Sequence, residues 1–83
     1  MLSTEKMLTD YDDKHDVMTC MIRPSDNSYG DEDEDNIVIL KDIDTDEVTG
    51  YTILDFKKIC REKGRTFDLL RNLLDVDYLL KTY

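Results

Sequence analysis

Asp42-Ile43-Asp44-Thr45-Asp46 sets carboxylates at alternate positions, the arrangement that opens a calcium loop. Such a loop needs glycine at its sixth position and a bidentate glutamate at its twelfth. Glu47 and Ile53 stand there instead, so the spacing excludes an EF-hand and leaves a solvated turn. Asp31-Glu32-Asp33-Glu34-Asp35 could attract divalent cations, but adjacent carboxylates repel one another and stay solvated. His15 is the only histidine; a catalytic imidazole needs a reacting group within reach and an orienting partner. Asp12 or Asp16 could orient it, yet no activated serine or cysteine motif accompanies it, which makes it a surface histidine. Cys20 and Cys60 each fall on an apolar stripe and read as buried free thiols. With no CxxC pair and one histidine, they assemble no recognised zinc spacing. No catalytic, cofactor or metal residues are assigned, and no enzymatic activity is expected.

The elements around these residues follow from periodicity. Lys6 to Asp12 has extended character, and a polar turn from Asp12 to Asp16 leads into Val17-Met18-Thr19-Cys20-Met21-Ile22. There Met18, Cys20 and Ile22 share one face, and Pro24 ends the strand. Residues 25 to 35 read as an acidic loop. Ile37-Val38-Ile39-Leu40 is a continuous apolar run, expected to be covered on both faces. Val48 to Leu54 is a fourth strand, with Tyr51 and Ile53 on one face and Gly50 marking a bulge or a close backbone approach.

After Asp55 the period changes. Phe56, Ile59, Cys60 and Lys63 follow helical spacing, with Asp55 as N-cap and Gly64 just past the C-terminus. Thr66 can cap a second helix. A wide stripe then runs from Phe67 to Leu80, which Asp75 and Asp77 can divide into two pieces. The predicted class is α+β: a four-stranded antiparallel sheet (β-β-β-β) followed by one or more helices packed on one face. The chain reads as a single domain over residues 1–83, sheet plus first helix at about 6–64 and a helical extension at 65–83.

At 83 residues a fold buries only about 60% of its unfolded surface, so a thin core and a homodimer or bound partner are expected. No 18-residue apolar run could span a membrane, and Met1 to Lys6 lacks the order of a signal peptide; the expectation is a cytoplasmic protein.

Charge is divided by position. Through Asp55 there are 16 acidic residues against four basic ones; from Phe56 on there are four against seven. The segments carry −12 and +3, giving the net −9. That net charge opposes nucleic-acid binding at long range. Lys57, Lys58, Arg61 and Arg65 nevertheless fall on roughly one helical face and form a candidate phosphate-binding patch.

Tyr11-Asp12, Asp16 with the strand to Ile22, Ile37 to Asp42, and Val48-Thr49-Gly50-Tyr51-Thr52-Ile53-Leu54-Asp55 run in a known order. The layout resembles the family called "domain of unknown function 2283", found in short prokaryotic proteins, over about Leu8 to Ile59. The resemblance implies a four-stranded antiparallel sheet with a helix across one face, and an antitoxin role paired with a small toxin. Thr19 stands where relatives often carry an aromatic residue, the acidic segment is heavier, and Thr66 to Tyr83 extends past the usual end.

These features lead to an expected function: a small acidic interaction protein that neutralises a basic partner, toxin- or nuclease-like. Asp31, Glu32, Asp33, Glu34 and Asp35 would steer that partner, and Leu69, Leu73 and Leu80 would anchor it. One alternative is a phage or mobile-element inhibitor of a host nuclease that imitates a phosphate backbone. Another is a nucleic-acid-binding regulator acting through the basic helix.

Overall fold

A computed structural model of the chain describes residues 4–23, 27–34 and 36–83, with the side chains of all of these except Glu5, Asp33 and Glu34. Pro24 and Asp35, singled out in the sequence, lie outside the described residues. Five strands form the sheet: β1 (Leu8–Asp12), β2 (Val17–Met21), β3 (Ser28–Glu34), β4 (Ile37–Asp42) and β5 (Val48–Leu54). Their order is β1-β2-β5-β4-β3, and every neighbouring pair is antiparallel. Three short helices follow: α1 (Phe56–Glu62), α2 (Arg65–Leu73) and α3 (Val76–Thr82). A 3-10 turn at Thr4–Lys6 precedes the sheet.

The class is α+β as expected, but the sheet has five strands rather than four. The segment read as an acidic loop is the fifth, paired along its length from Ser28↔Asp42 to Glu34↔Ile37. Side-chain repulsion argued against a strand there, but backbone pairing to β4 needs no particular side chains. At the sheet's outer edge, charged residues on both faces reach water, and charge on an edge strand also deters pairing with other chains. Asn36 turns the chain into β4 with φ 69°, in the left-handed region that asparagine tolerates.

The register sorts the sheet into two faces. Opposed residues Tyr11↔Met18, Met18↔Ile53 and Ile37↔Ile53 share the face toward the helices. There Met18, Cys20, Ile37 and Ile53 form one core with Phe56, Ile59, Cys60, Leu70, Leu74, Val76 and Leu79. Phe56, Ile59 and Cys60 sit at i, i+3, i+4, which turns one side of the seven-residue α1 onto the sheet. Asp75 does divide the leucine-rich stripe: its side chain accepts the Tyr78 N–H at 3.1 Å and starts α3. The Asp75 N–H in turn donates to Thr4 Oγ1 at 2.7 Å, tying the first turn to the last helix.

Among the described residues, no layer covers the opposite face. Ile37 alone in its run is buried, while Val38, Ile39 and Leu40 are half-buried. The expectation that the run is covered on both faces is therefore corrected: all three helices pack on one side. Gly50 does mark both features anticipated for it. Leu40 pairs with Gly50 and Lys41 with Val48, so Thr49 is the extra residue of a bulge. A Cβ on Gly50 would stand 2.5 Å from the Cys20 carbonyl oxygen.

Candidate functional site

The acidic block is split by its strand. Asp31 opposes Ile39, on the helix side, and its Oδ2 accepts from Lys41 Nζ at 3.1 Å. Glu32 opposes Val38 and points to the uncovered side, exposed. Further carboxylates crowd both edges and the turn after β4: Asp10, Asp12, Asp13, Asp44, Asp46 and Glu47 are all exposed. Few cations offset them, and two are engaged within the group: Lys41 with Asp31, and Arg23 with Glu47 at 2.8 Å. The result is an acidic periphery around a sheet, in place of one acidic loop.

Individual carboxylates hold the turns. Asp42 Oδ1 accepts the Asp44 and Thr45 N–H groups at 2.8 and 3.3 Å, and Asp46 accepts from Tyr29 Oη at 2.9 Å. The segment that resembled a calcium loop thus spends its oxygens on its own backbone and a neighbouring tyrosine. Among the described residues, no cluster of three metal-ligating side chains is present. Asp12 does orient His15, accepting from Nδ1 at 2.8 Å, but both side chains are largely exposed. The hydrogen bond from His15 holds the Asp12 carboxyl below its usual range.

The Asp16 carboxylate joins the first hairpin to α1. Its Oδ1 accepts from Tyr11 Oη at 2.6 Å and from the Lys57 N–H at 2.9 Å, and its Oδ2 accepts the Lys58 N–H at 3.2 Å. Its own carbonyl accepts the Phe56 N–H at 3.0 Å. Asp55, the expected N-cap of α1, occupies the cap position in a left-handed conformation and makes no side-chain cap bond. The cap comes instead from the β1–β2 turn. Desolvation pushes the Asp16 carboxyl upward, but the Tyr11, Lys57 and Lys58 hydrogen bonds and the Arg61 charge outweigh it and leave it below the usual range. The hydrogen bond to Asp16, then burial and the nearby Asp16, Asp13 and Asp12 charges, push Tyr11 up to about 12.

The other end of α1 also departs from expectation. Lys63 takes the left-handed C-cap position at φ 52°, and Gly64, at φ −90°, is the N-cap of α2. The second helix begins at Arg65 with no side-chain cap, so Thr66 lies inside it.

The basic patch is dispersed. Lys57 Nζ donates to the Tyr83 carbonyl oxygen at 2.8 Å and lies 4.9 Å from the centre of the Tyr11 ring. Arg61 is exposed on α1, with Asp16 within its electrostatic reach. Arg65 belongs to the next helix, where it and Lys58 line a shallow hollow of about 320 Å³ together with Asp55, Glu62 and Phe67. Carboxylates thus alternate with cations where a phosphate would have to bind.

The helical anchor is also divided. Leu69 and Leu73 on α2 are half-buried against the core, and Leu80 on α3 is 41% exposed. Both cysteines are free and buried. Burial pushes the Cys20 thiol up to about 11 and also raises Cys60, with help from the Asp16 charge, so neither is a ready nucleophile at neutral pH.

Sequence reasoning missed the uncovered sheet face, which carries Val17, Thr19, Met21, Val38, Leu40, Thr52 and Leu54. The signal was present in that unbroken apolar run of β4, which no second layer of helices could match. Among the described residues, no helix is long and apolar enough to cross a membrane. No protein-family model matches this chain, and no curated protein or solved structure matches it significantly.

Proposed function

We propose that this chain is an interaction protein that binds and neutralises a basic protein. The observation that carries this reading is the acidic periphery: exposed carboxylates on β1, β3 and the 42–47 turn surround one sheet, with few cations among them. Such a surface draws a cationic partner by long-range attraction, raises its rate of encounter and repels nucleic acid. The partner's phosphate-binding surface is then occluded by carboxylates standing where phosphates would lie. The resemblance to the family named above supports a ribonuclease-type toxin as the target. The nucleic-acid reading has less support, because Lys57 is engaged by Tyr11 and Tyr83 and the other cations stand among carboxylates.

The test is co-purification of the tagged chain with candidate basic proteins, starting from any encoded beside it, with the ribonuclease activity of each candidate measured alone and in the complex. Lowering salt to about 10 mM extends the Debye length to about 30 Å, so association should accelerate there. Absence of any complex with cationic neighbours at that salt would overturn the reading.

A further inference from the structure

We propose that the uncovered sheet face is the docking surface and that its occupant is an amphipathic, cationic helix of the partner. This rests on the reading above and adds the surface and the partner's chemistry. The register places Leu8, Met21, Gly50, Leu40 and Gly30 in one row across all five strands on this face. The next row is Asp10, Thr19, Thr52, Val38 and Glu32, and beyond it come Asp12, Val17 and Leu54. Charge therefore sits at the margins, on Asp10, Asp12, Glu32 and Asp42, while the centre is apolar or hydroxylic. The described strand residues of this face include no lysine or arginine: Lys41 points to the other side, against Asp31, and Arg23, just past the end of β2, is held by Glu47. Leu8 and Leu54 are 61% and 39% exposed, and Val17, Met21, Val38 and Leu40 keep part of their surface open.

Nothing in the described chain is left to cover it. Phe56, Leu70 and Leu79 fix all three helices to the opposite face with no exposed surface of their own. A second copy is a poor fit, because face-to-face packing would set one acidic margin against another, and Arg23, at the end of β2, is already held by Glu47. Charge complementarity instead requires an apolar ridge flanked by lysine or arginine.

The dimensions fit a helix. Strands about 4.8 Å apart put β1 and β3 about 19 Å from each other. A helix with its side chains is about 10–12 Å across, leaving about 4 Å on each flank. Lysine and arginine stems cross such a gap over apolar surface and deliver their charge to the acidic edges.

The test uses two peptides of about 18 residues, long enough to form helices. They share one leucine- and lysine-rich composition; one has an apolar stripe flanked by lysines, and the other has its order scrambled to abolish the stripe. The striped peptide should bind, and the amides of Thr19, Val38 and Thr52 should shift in NMR spectra of the unaltered protein. Thr52→Lys and Val38→Lys, shown folded by their melting curves, should each weaken binding about tenfold or more through like-charge contact. Equal binding of both peptides would overturn the docking surface but leave the basic-partner reading standing. The same holds if Leu80→Asp abolishes binding while Thr52→Lys does not. Self-association of the protein through the same amides would assign the face to a second copy and overturn the inference. Binding by neither peptide, together with failure to capture any basic protein, would overturn both.

Discussion

The Asp16 carboxylate accepts the Lys57 N–H at 2.9 Å across 41 positions of sequence, so the turn of the first hairpin starts a helix that follows the last strand. Asp16 holds this geometry at φ 57°, where aspartate is one of the few non-glycine residues found with any frequency. The same carboxylate takes the Tyr11 hydroxyl, and the Tyr11 ring in turn packs edge-on to Phe56 at 6.1 Å. Sheet and helices are joined at this point by polar and apolar contacts together.

Replacing Asp16 with alanine removes the cap, worth about 1 kcal/mol, and leaves the Tyr11 hydroxyl without its partner for about 1 kcal/mol more. Urea unfolding should show a loss of about 2 kcal/mol, and amide exchange at Lys57 and Lys58 should accelerate more than exchange in β2.

The same site sets a pH dependence at both extremes. Because the folded Asp16 carboxyl lies below its unfolded value, its contribution is complete above about pH 4 and is lost as pH falls through the folded value. Tyr11 behaves in the opposite sense: raised to about 12, it contributes fully below its unfolded pKa and loses that contribution as pH rises through the folded one. Unfolding free energies measured across pH should therefore fall at both ends. Asp16→Asn should flatten the acid limb, and Tyr11→Phe the alkaline one.

Gly50→Ala should destabilise by about 1–3 kcal/mol, since the new methyl meets the Cys20 carbonyl oxygen and the Met21 sulfur and neither strand can withdraw without breaking its ladder. Gly64→Ala meets nothing within 4 Å and should change stability by less than about 0.5 kcal/mol. Thermal melting of the two variants side by side checks the contrast.

Cys20 and Cys60 should resist a thiol reagent at neutral pH in the folded protein and react fully in denaturant. Burial keeps both protonated, and only the thiolate attacks. Rapid labelling of Cys20 without denaturant would contradict its placement in the core.

Much of the architecture was legible locally. The alternation in Val17–Met21 and Val48–Leu54, the change of period after Asp55, the bulge at Gly50 and the helix start at Asp75 are all short-range signals, and each appears in the fold. The strand Ser28–Glu34 was not legible, because its partner Ile37–Asp42 supplies the hydrogen bonds that its own acidic side chains disfavour. The cap of α1 was assigned to the nearest aspartate, Asp55, whereas the left-handed backbone there gives the role to Asp16.

By itself, the sequence determined that strands come before helices and that charge is segregated along the chain, since these depend on residue type and spacing. Only the tertiary structure decided where that charge stands. Strand pairing sends Asp31 and Glu32 to opposite faces and puts acids on both sheet edges, while α1 ends at the left-handed Lys63 and leaves Arg65 of the basic patch on α2. Strand pairing also leaves one face of β4 and β5 without a covering layer among the described residues. The physical reason is that a strand's side chains alternate by geometry while its neighbours are chosen by long-range pairing, and no local pattern specifies which neighbour arrives.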